Sequence, residues 1–385
     1  MNIERLHVSG YRSLRNVRLD LKQLNVIVGE NGSGKSNLYR ALQLLSTAAN
    51  GRFARDLANE GGMSSALWGG KKSKQEKERP RINVEVEFEE LNYKLSFGPP
   101  AKSELPGDLA YFSNDPRIKV EEISVNYRGK TNKIIWRKGN MIWAKNIDGR
   151  TIEYPLALQG VESVLAGLRD PQKFPELSLL REEFLNWRFY HNFRKDVDSP
   201  IRQPQKSVMT TVLSHDGADL AAAMVTIKAI GQPLELENAI NDAFPGAMLA
   251  LSGGDGELEL TLDMPELNRL LDASELSDGT LQYLCMVALL MTERPPTLMI
   301  LNEPEASIHM DLYEPLAKLI VKAAKRSQII LTTHAKSLAS FIRKHGETNV
   351  IELEKIDGET RIKGAKLVVD DEDQDLDYDN DFEQR

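Results

Sequence analysis

One cysteine, Cys285, stands in a chain of 385 residues. An internal disulfide and a zinc hook built on paired cysteines are therefore excluded. Cys285 lies inside the apolar run LCMVALLM, where a lone thiol reads as a small core hydrophobe. Long apolar stretches are missing too: LMIL and LCMVALLM fall far short of the roughly 20 residues that span a bilayer, so no membrane segment is expected. The N-terminus, MNIERLHVSGYRSL, has no basic region followed by an apolar core. It reads as carrying no signal peptide, and the expected location is the cytoplasm. There is no internal repeat and no heptad run long enough for a coiled-coil arm. His191, His215 and His309 lack partners at metal-ligand spacing and read as surface or capping residues.

What is present is ordinary globular material, 41% hydrophobic and 28% charged, on a chain two to three times the usual domain length. It can bury a sizeable core and has room for an insertion or second lobe. The formal charge of -8 is concentrated at one end, because residues 370 to 385, DDEDQDLDYDNDFEQR, hold nine acids and one arginine. The remaining body is neutral overall. The segment has almost no apolar residues, so a solvating, disordered tail is expected, and overall acidity says little against a nucleic-acid partner for the body.

The opening reads as strand, turn, strand over IERLHVSGY and SLRNVRLDL, then a short apolar run, QLNVIVG, and a helix, SNLYRALQLLSTAA. The Lys-rich GGKKSKQEKERPR, residues 69 to 81, has no apolar period and reads as a solvated loop before it reads as a DNA contact. Alternating segments with Gly and Asn turns over residues 82 to 156 predict an antiparallel sheet. Helical patterns dominate from 160 to 240, including the aromatic-rich WRFYHNFR, whose rings read as core. AMLALSGGDGELELTLDM predicts a hairpin, and residues 274 to 369 alternate helix with apolar strand, as a parallel α/β sheet does.

Four stretches carry chemistry. GENGSGKS, Gly29 to Ser36, matches GxxxxGK[ST] and lies between an apolar strand and a helix, as a phosphate-binding loop must. Its glycines let backbone N–H groups curl around phosphates, Lys35 reaches the β- and γ-phosphates, and Ser36 offers its hydroxyl to Mg²⁺. Further on, ELSDGT opens an apolar helix at a Ser-Asp-Gly-Thr turn, LMILNEPEASIH puts Asn302 and Glu303 at a strand end, and IILTTH ends another strand in His334.

In that order, with YRSL ahead of the loop, these stretches resemble the ABC-type ATPase heads of the RecF and SMC branch, a group of AAA-family ATPases. The resemblance covers about 1 to 160 and 245 to 368 and omits the middle, where SMC proteins carry long arms. It implies a P-loop α/β fold: an ATPase head with a core parallel sheet, an antiparallel β-subdomain and a compact helical insertion. The corresponding division is 1–159 and 246–369 for the two halves of the head, 160–245 for the insertion and 370–385 for the tail. Asn31, Gly32, Ser33, Gly34, Lys35, Ser36 and Asn37 would hold the phosphates and Mg²⁺ of ATP. Ser277, Asp278, Gly279 and Thr280 would meet the γ-phosphate held by a second subunit, so that a homodimer sandwiches two ATP. Glu303 would position or deprotonate the attacking water, His334 would contact the γ-phosphate, and Gln159 would stand at the Q-loop.

Asn302 departs from the pattern, since an aspartate usually holds a water of the Mg²⁺ shell there. An asparagine carbonyl can accept the same hydrogen bond, so the position is kept and one negative charge is lost. Weaker metal affinity or slower turnover is expected. Two functions fit: an ATPase that dimerises on ATP and acts on DNA in repair or in defence against foreign DNA, or an ATP-gated scaffold that holds and releases a toxic or nuclease partner protein.

Overall fold

The computed structural model describes residues 1–70, 80–146, 149–154 and 158–364. The acidic tail and most of the Lys-rich stretch lie outside the described residues. LNVIVG, Leu24–Gly29, is apolar on both faces because it lies inside a six-stranded sheet rather than on its surface. The order across that sheet is Arg188–Tyr190, Leu298–Asn302, Gln328–Thr333, Leu24–Gly29, Asn349–Ile356 and Glu359–Ile362. The first five strands run parallel, and the last turns back as a hairpin. Successive residues therefore feed two cores, with Ile27, Ile300 and Ile330 on one side and Val26, Leu301 and Leu331 on the other.

The first core lies under an eight-stranded antiparallel sheet built from 3–20, 82–98 and 117–154. Val8, Val84, Leu95, Ile123, Ile135 and Ile142 line its inner face, and the helix Lys35–Asn50 packs Leu38, Leu42 and Leu45 into the same core. The predicted antiparallel sheet over 82–156 is thus present, and the opening hairpin joins it through the pairing of Ile3–Tyr11 with Ile82–Phe88. The second core holds the helix Asp278–Leu290, in which every residue from Leu281 to Leu290 is buried. Cys285 is among them. Among the described residues no helix is long and apolar enough to cross a membrane.

Residues 160–245 contain the helices Val164–Gly167, Pro175–Asn186, Leu220–Ile230 and Pro233–Ala243. They are not helical throughout. Arg188–Tyr190 leaves the helical pattern and becomes the edge strand of the core sheet, parallel to Leu298–Asn302. Trp187, Tyr190 and Phe193 are buried, as their pattern predicted.

A buried ionic hub fastens the start of this segment to the antiparallel sheet. Arg137, fully buried, donates to the carbonyls of Gly139, Gln159 and Glu162 and stands 3.9 Å from Glu121. Glu121 accepts from Tyr93 Oη at 2.7 Å, Ser163 Oγ at 2.5 Å and Val164 N at 2.9 Å. Burial raises the pKa of Glu121, against its hydrogen bonds and the Arg137 charge, and burial lowers that of Arg137, against the attraction of Glu121 and its neighbours. Arg137→Ala strands a buried carboxylate and three carbonyls, so an expected loss of about 3–5 kcal/mol should appear as a lower midpoint in urea unfolding.

Candidate ATP-binding and hydrolysis site

In an open α/β sheet, ligands sit beyond the carboxyl ends of the strands. That edge is where Gly29, Asn302 and Thr333 end their strands, which brings three of the four sequence stretches together. The phosphate loop turns into its helix at Gly34, which is left-handed with φ 107°. A β-carbon there would run into the Thr360 hydroxyl, so glycine is required both by conformation and by space.

Behind the loop runs a directed chain of hydrogen bonds. Asn37 Nδ2 donates to Ser13 Oγ at 2.7 Å, Ser13 Oγ and Thr360 Oγ1 are 2.7 Å apart, and Thr360 Oγ1 donates to Ser33 O at 2.8 Å. Because the Thr360 proton is committed to Ser33, Ser13 must be the donor in the middle bond. YRSL, through Ser13, therefore braces the loop from behind. Asn37 has the same bracing contact, a different part from the phosphate contact that the resemblance implied.

Lys35 is only 4% exposed, and its Nζ donates to Gly29 O at 2.6 Å and Glu30 O at 3.0 Å. Burial lowers its pKa, while the nearby carboxylates of Glu303 and Glu305 raise it. Asn31, Gly32 and Ser36 are exposed at the loop, and the buried Ser33 hydroxyl has no partner. A curled glycine loop, a helix N-terminus, an ammonium held within the loop and an unsatisfied hydroxyl fit a phosphate chain. Ser36 would be the hydroxyl ligand to the accompanying Mg²⁺.

Across the edge, Glu303 has a left-handed backbone, φ 49°, fixed by its N–H donating to Thr332 O at 2.9 Å. Such strain in a non-glycine residue is characteristic of functional positions. Its Oε1 lies 3.8 Å from His334 Nδ1, and the side chain is one-third exposed. Glu305, two residues further along the same stretch, completes the group. It is buried, accepts from Thr333 Oγ1 at 2.5 Å and His334 N at 3.2 Å, and lies 3.4 Å from His334 Nδ1. Its second oxygen, Oε2, is buried without a partner.

Asn302 is buried and held at both ends. Thr332 Oγ1 donates to its Oδ1 at 2.8 Å, and its Nδ2 lies 2.5 Å from Nδ1 of His191. His191 follows the edge strand Arg188–Tyr190, and its ring lies 5.9 Å from that of Tyr39. His191 is exposed, in keeping with its sequence reading as a surface residue, and the structure adds its contact with Asn302 at the edge where the core strands end. No periodicity could reveal this, because it depends on a three-residue strand pairing more than 100 positions away.

The signature turn is built separately. Ser277 caps its helix, its Oγ accepting from Thr280 N at 3.1 Å, and Ser277 and Asp278 are exposed. A β-carbon on Gly279 would lie 2.5 Å from Ser307 O, so glycine here lets the helix start close against the turn that follows Glu303. Arg202 clamps the approach, donating to the carbonyls of Lys195, Ala273, Ser274 and Leu276 and to Asp278 Oδ1 at 2.6 Å. Lys195 Nζ donates to Gln282 Oε1 at 2.7 Å, and Gln282 Nε2 donates to Pro304 O at 3.3 Å. Segment 188–202 thus touches both Asn302 and the signature. The hydrogen bonds of Ser277–Thr280 described here do not reach the phosphate loop.

Gln159 is exposed, with its carbonyl accepting from Arg137 and its N–H donating to Glu162 Oε2 at 3.0 Å. These contacts place it at the hub of the antiparallel sheet, and none of them joins it to Lys35 or Asn302. Among the described residues no cluster of three or more His, Cys, Asp or Glu could hold a metal by itself. A divalent ion here would need the nucleotide as co-ligand, as Mg²⁺ commonly does.

Residues 24–339 match the family described as "AAA domain, putative AbiEii toxin, Type IV TA system". A stretch of 57 residues is 40% identical to the DNA replication and repair protein RecF of Oceanobacillus iheyensis, covering 14% of this chain and 15% of that protein. Among solved structures, the Smc head bound to the C-winged helix domain of ScpA gives a TM-score of 0.49 at 16% identity, covering 94% of this chain and 97% of that one. The SMC head domain from Thermotoga maritima gives 0.44 at 15% identity, covering 95% and 100%.

Proposed function

The chain belongs to the AAA-domain family whose model spans residues 24–339, and from that premise we propose that it is a Mg²⁺-dependent ATPase that dimerises on ATP and acts on DNA in the cytoplasm, in repair or in defence against foreign DNA. The observation that carries the enzymatic part is the convergence of Lys35, Glu303, Glu305 and His334 at one edge of one parallel sheet. Lys35 and the loop N–H groups would hold the phosphate chain, and Mg²⁺, when bound beside Ser36, would neutralise charge on it. Glu303, part-exposed and 3.8 Å from His334, would take a proton from water. Glu305 fixes His334 from beneath, through the His334 N–H and Thr333.

Dimerisation is supported by the signature turn, which is exposed, rigidly clamped and spends its contacts away from its own phosphate loop. A helix N-terminus held out in this way favours an anion brought by another subunit. Ser277→Arg should leave ATP bound to the monomer and prevent the ATP-dependent dimer. Light scattering with and without ATP tests it, and an unaltered dimer would rule out a signature that faces a second nucleotide. The stretch shared with RecF supports DNA as the partner.

A second reading is an ATP-gated scaffold that holds and releases a toxic or nuclease partner protein. It is favoured by the words "putative AbiEii toxin, Type IV TA system" in the description of the family. Turnover measured with single-stranded, duplex and nicked DNA separates the two, since stimulation by DNA is expected only of the first.

A further inference from the structure

We infer that the outer strands of the antiparallel sheet, 130–138 and 141–145 with the turn at 127–130, form a binding surface for single-stranded DNA. The inference deepens the proposed action on DNA and rests on it. Residues 128 to 150 contain seven Lys and Arg against one acid, Asp148, a net of +6 inside a chain whose total is -8. Arg137 is buried in the hub, but Arg128, Lys130, Lys133, Lys138, Lys145 and Arg150 are all exposed.

The strands face their charges in one direction. Ile135 and Ile142 point into the core, so Trp136, Lys138, Trp143 and Lys145 point away from it. Trp136 and Trp143 are directly opposite in register and stack with centroids 6.3 Å apart and planes 16° from parallel. Lys138 lies opposite Met141 on one side of this pair, and Lys145 follows Trp143 on the other. At the adjoining turn, Arg128 sits over the exposed ring of Tyr127, 5.2 Å from its centroid.

On the neighbouring strands Lys94 is neutralised by Glu85 at 2.7 Å, and within the surface itself Lys133 is paired with Glu122 at 2.8 Å. The net positive charge of residues 128 to 150 lies on the strands that carry the stacked indoles and on the turns that join them in sequence. A cross-strand tryptophan pair on a hairpin can serve as packing alone. Here it lies half-buried on the face away from the core, between two lysines and next to exposed Met141. Cations that follow a backbone and rings that accept bases are the two parts of a surface for unpaired strands. Glu122, opposite Trp136, and Glu153, opposite Trp143, put a carboxylate at each end of the indole row, so the phosphates would run beside the row, at Lys138 and Lys145, rather than along it.

The test uses the full chain and a fluorescein-labelled 20-residue oligothymidylate, with a duplex of equal length, by anisotropy over a salt series. Wild type should prefer the single strand. Lys138→Glu with Lys145→Glu should weaken binding by tenfold or more and flatten the dependence of log K on log salt. Trp143→Leu should weaken the single strand by roughly tenfold and leave the duplex unaffected, because only unpaired bases stack. ATP affinity, read on the opposite sheet, should stay at the wild-type value in all variants and certifies the fold. No binding of either DNA by wild type would overturn the DNA reading itself. Wild-type binding that the charge reversals leave unchanged would overturn only this surface, and a duplex preference with no effect of Trp143→Leu would overturn its assignment to single strands.

Discussion

Lys35→Ala is expected to abolish ATP binding and leave the protein folded. The ammonium is buried within the loop, against Gly29 O and Glu30 O, in a place where burial already lowers its pKa. A cation kept there at such a cost needs anionic neighbours, and Glu303 and Glu305 are those that the chain itself supplies. A phosphate chain would be a far stronger one. Truncating a buried, hydrogen-bonded charge commonly costs 2–5 kcal/mol of binding, and each 1.4 kcal/mol is tenfold in affinity, so a loss of roughly 30- to several-thousand-fold is expected. The fold should survive, because the loop is braced from behind by Asn37, Ser13 and Thr360, none of which touches Nζ. Calorimetric titration with ATP, beside a circular-dichroism melt, checks both halves. Wild-type affinity in a folded variant would remove the phosphate-loop assignment.

Much of this site is legible in the sequence because its parts are local. GENGSGKS fixes a loop by glycine conformation, and LMIL and IILTT are apolar runs of the length and composition of buried parallel strands. ELSDGT carries its own N-cap, with Ser277 and Thr280 three residues apart. What escapes the sequence is whatever depends on tertiary register. Arg188–Tyr190 is too short for its alternation to register, and the aromatic spacing around it suits a helix equally well. With that strand unseen, His191 cannot be connected to Asn302 or Arg202 to the signature, although each contact is made by a side chain of ordinary type. Glu305 is missed for a related reason: surface acids after a strand are common, and only burial beside Thr333 and His334 distinguishes it. Gln159 is the reverse case, where position along the chain suggested a nucleotide contact and the hydrogen bonds lead to the hub around Arg137.

Glu303→Gln should keep ATP bound and the dimer intact while turnover falls by about two orders of magnitude or more, the scale of losing a general base. Glutamine has the same length and can occupy the same left-handed backbone, held by the N–H bond to Thr332 O, but cannot take a proton. The neighbouring position behaves differently. Asn302 uses Oδ1 to accept from Thr332, and its amide donates to His191 Nδ1. In Asn302→Asp that donor becomes a carboxylate oxygen, so the imidazole must turn its own N–H toward it, and a negative charge returns beside the Mg²⁺ shell. The expected result is half-maximal turnover at lower Mg²⁺ concentration than in wild type. Asn302→Asp combined with His191→Ala keeps the charge and loses the imidazole, which separates metal attraction from the placement of the side chain. All variants are read as phosphate release across a Mg²⁺ series. If wild type turns over at no Mg²⁺ concentration and Asn302→Asp does not restore activity, Glu303 has no water to act on, and the protein is a nucleotide-binding switch rather than an ATPase.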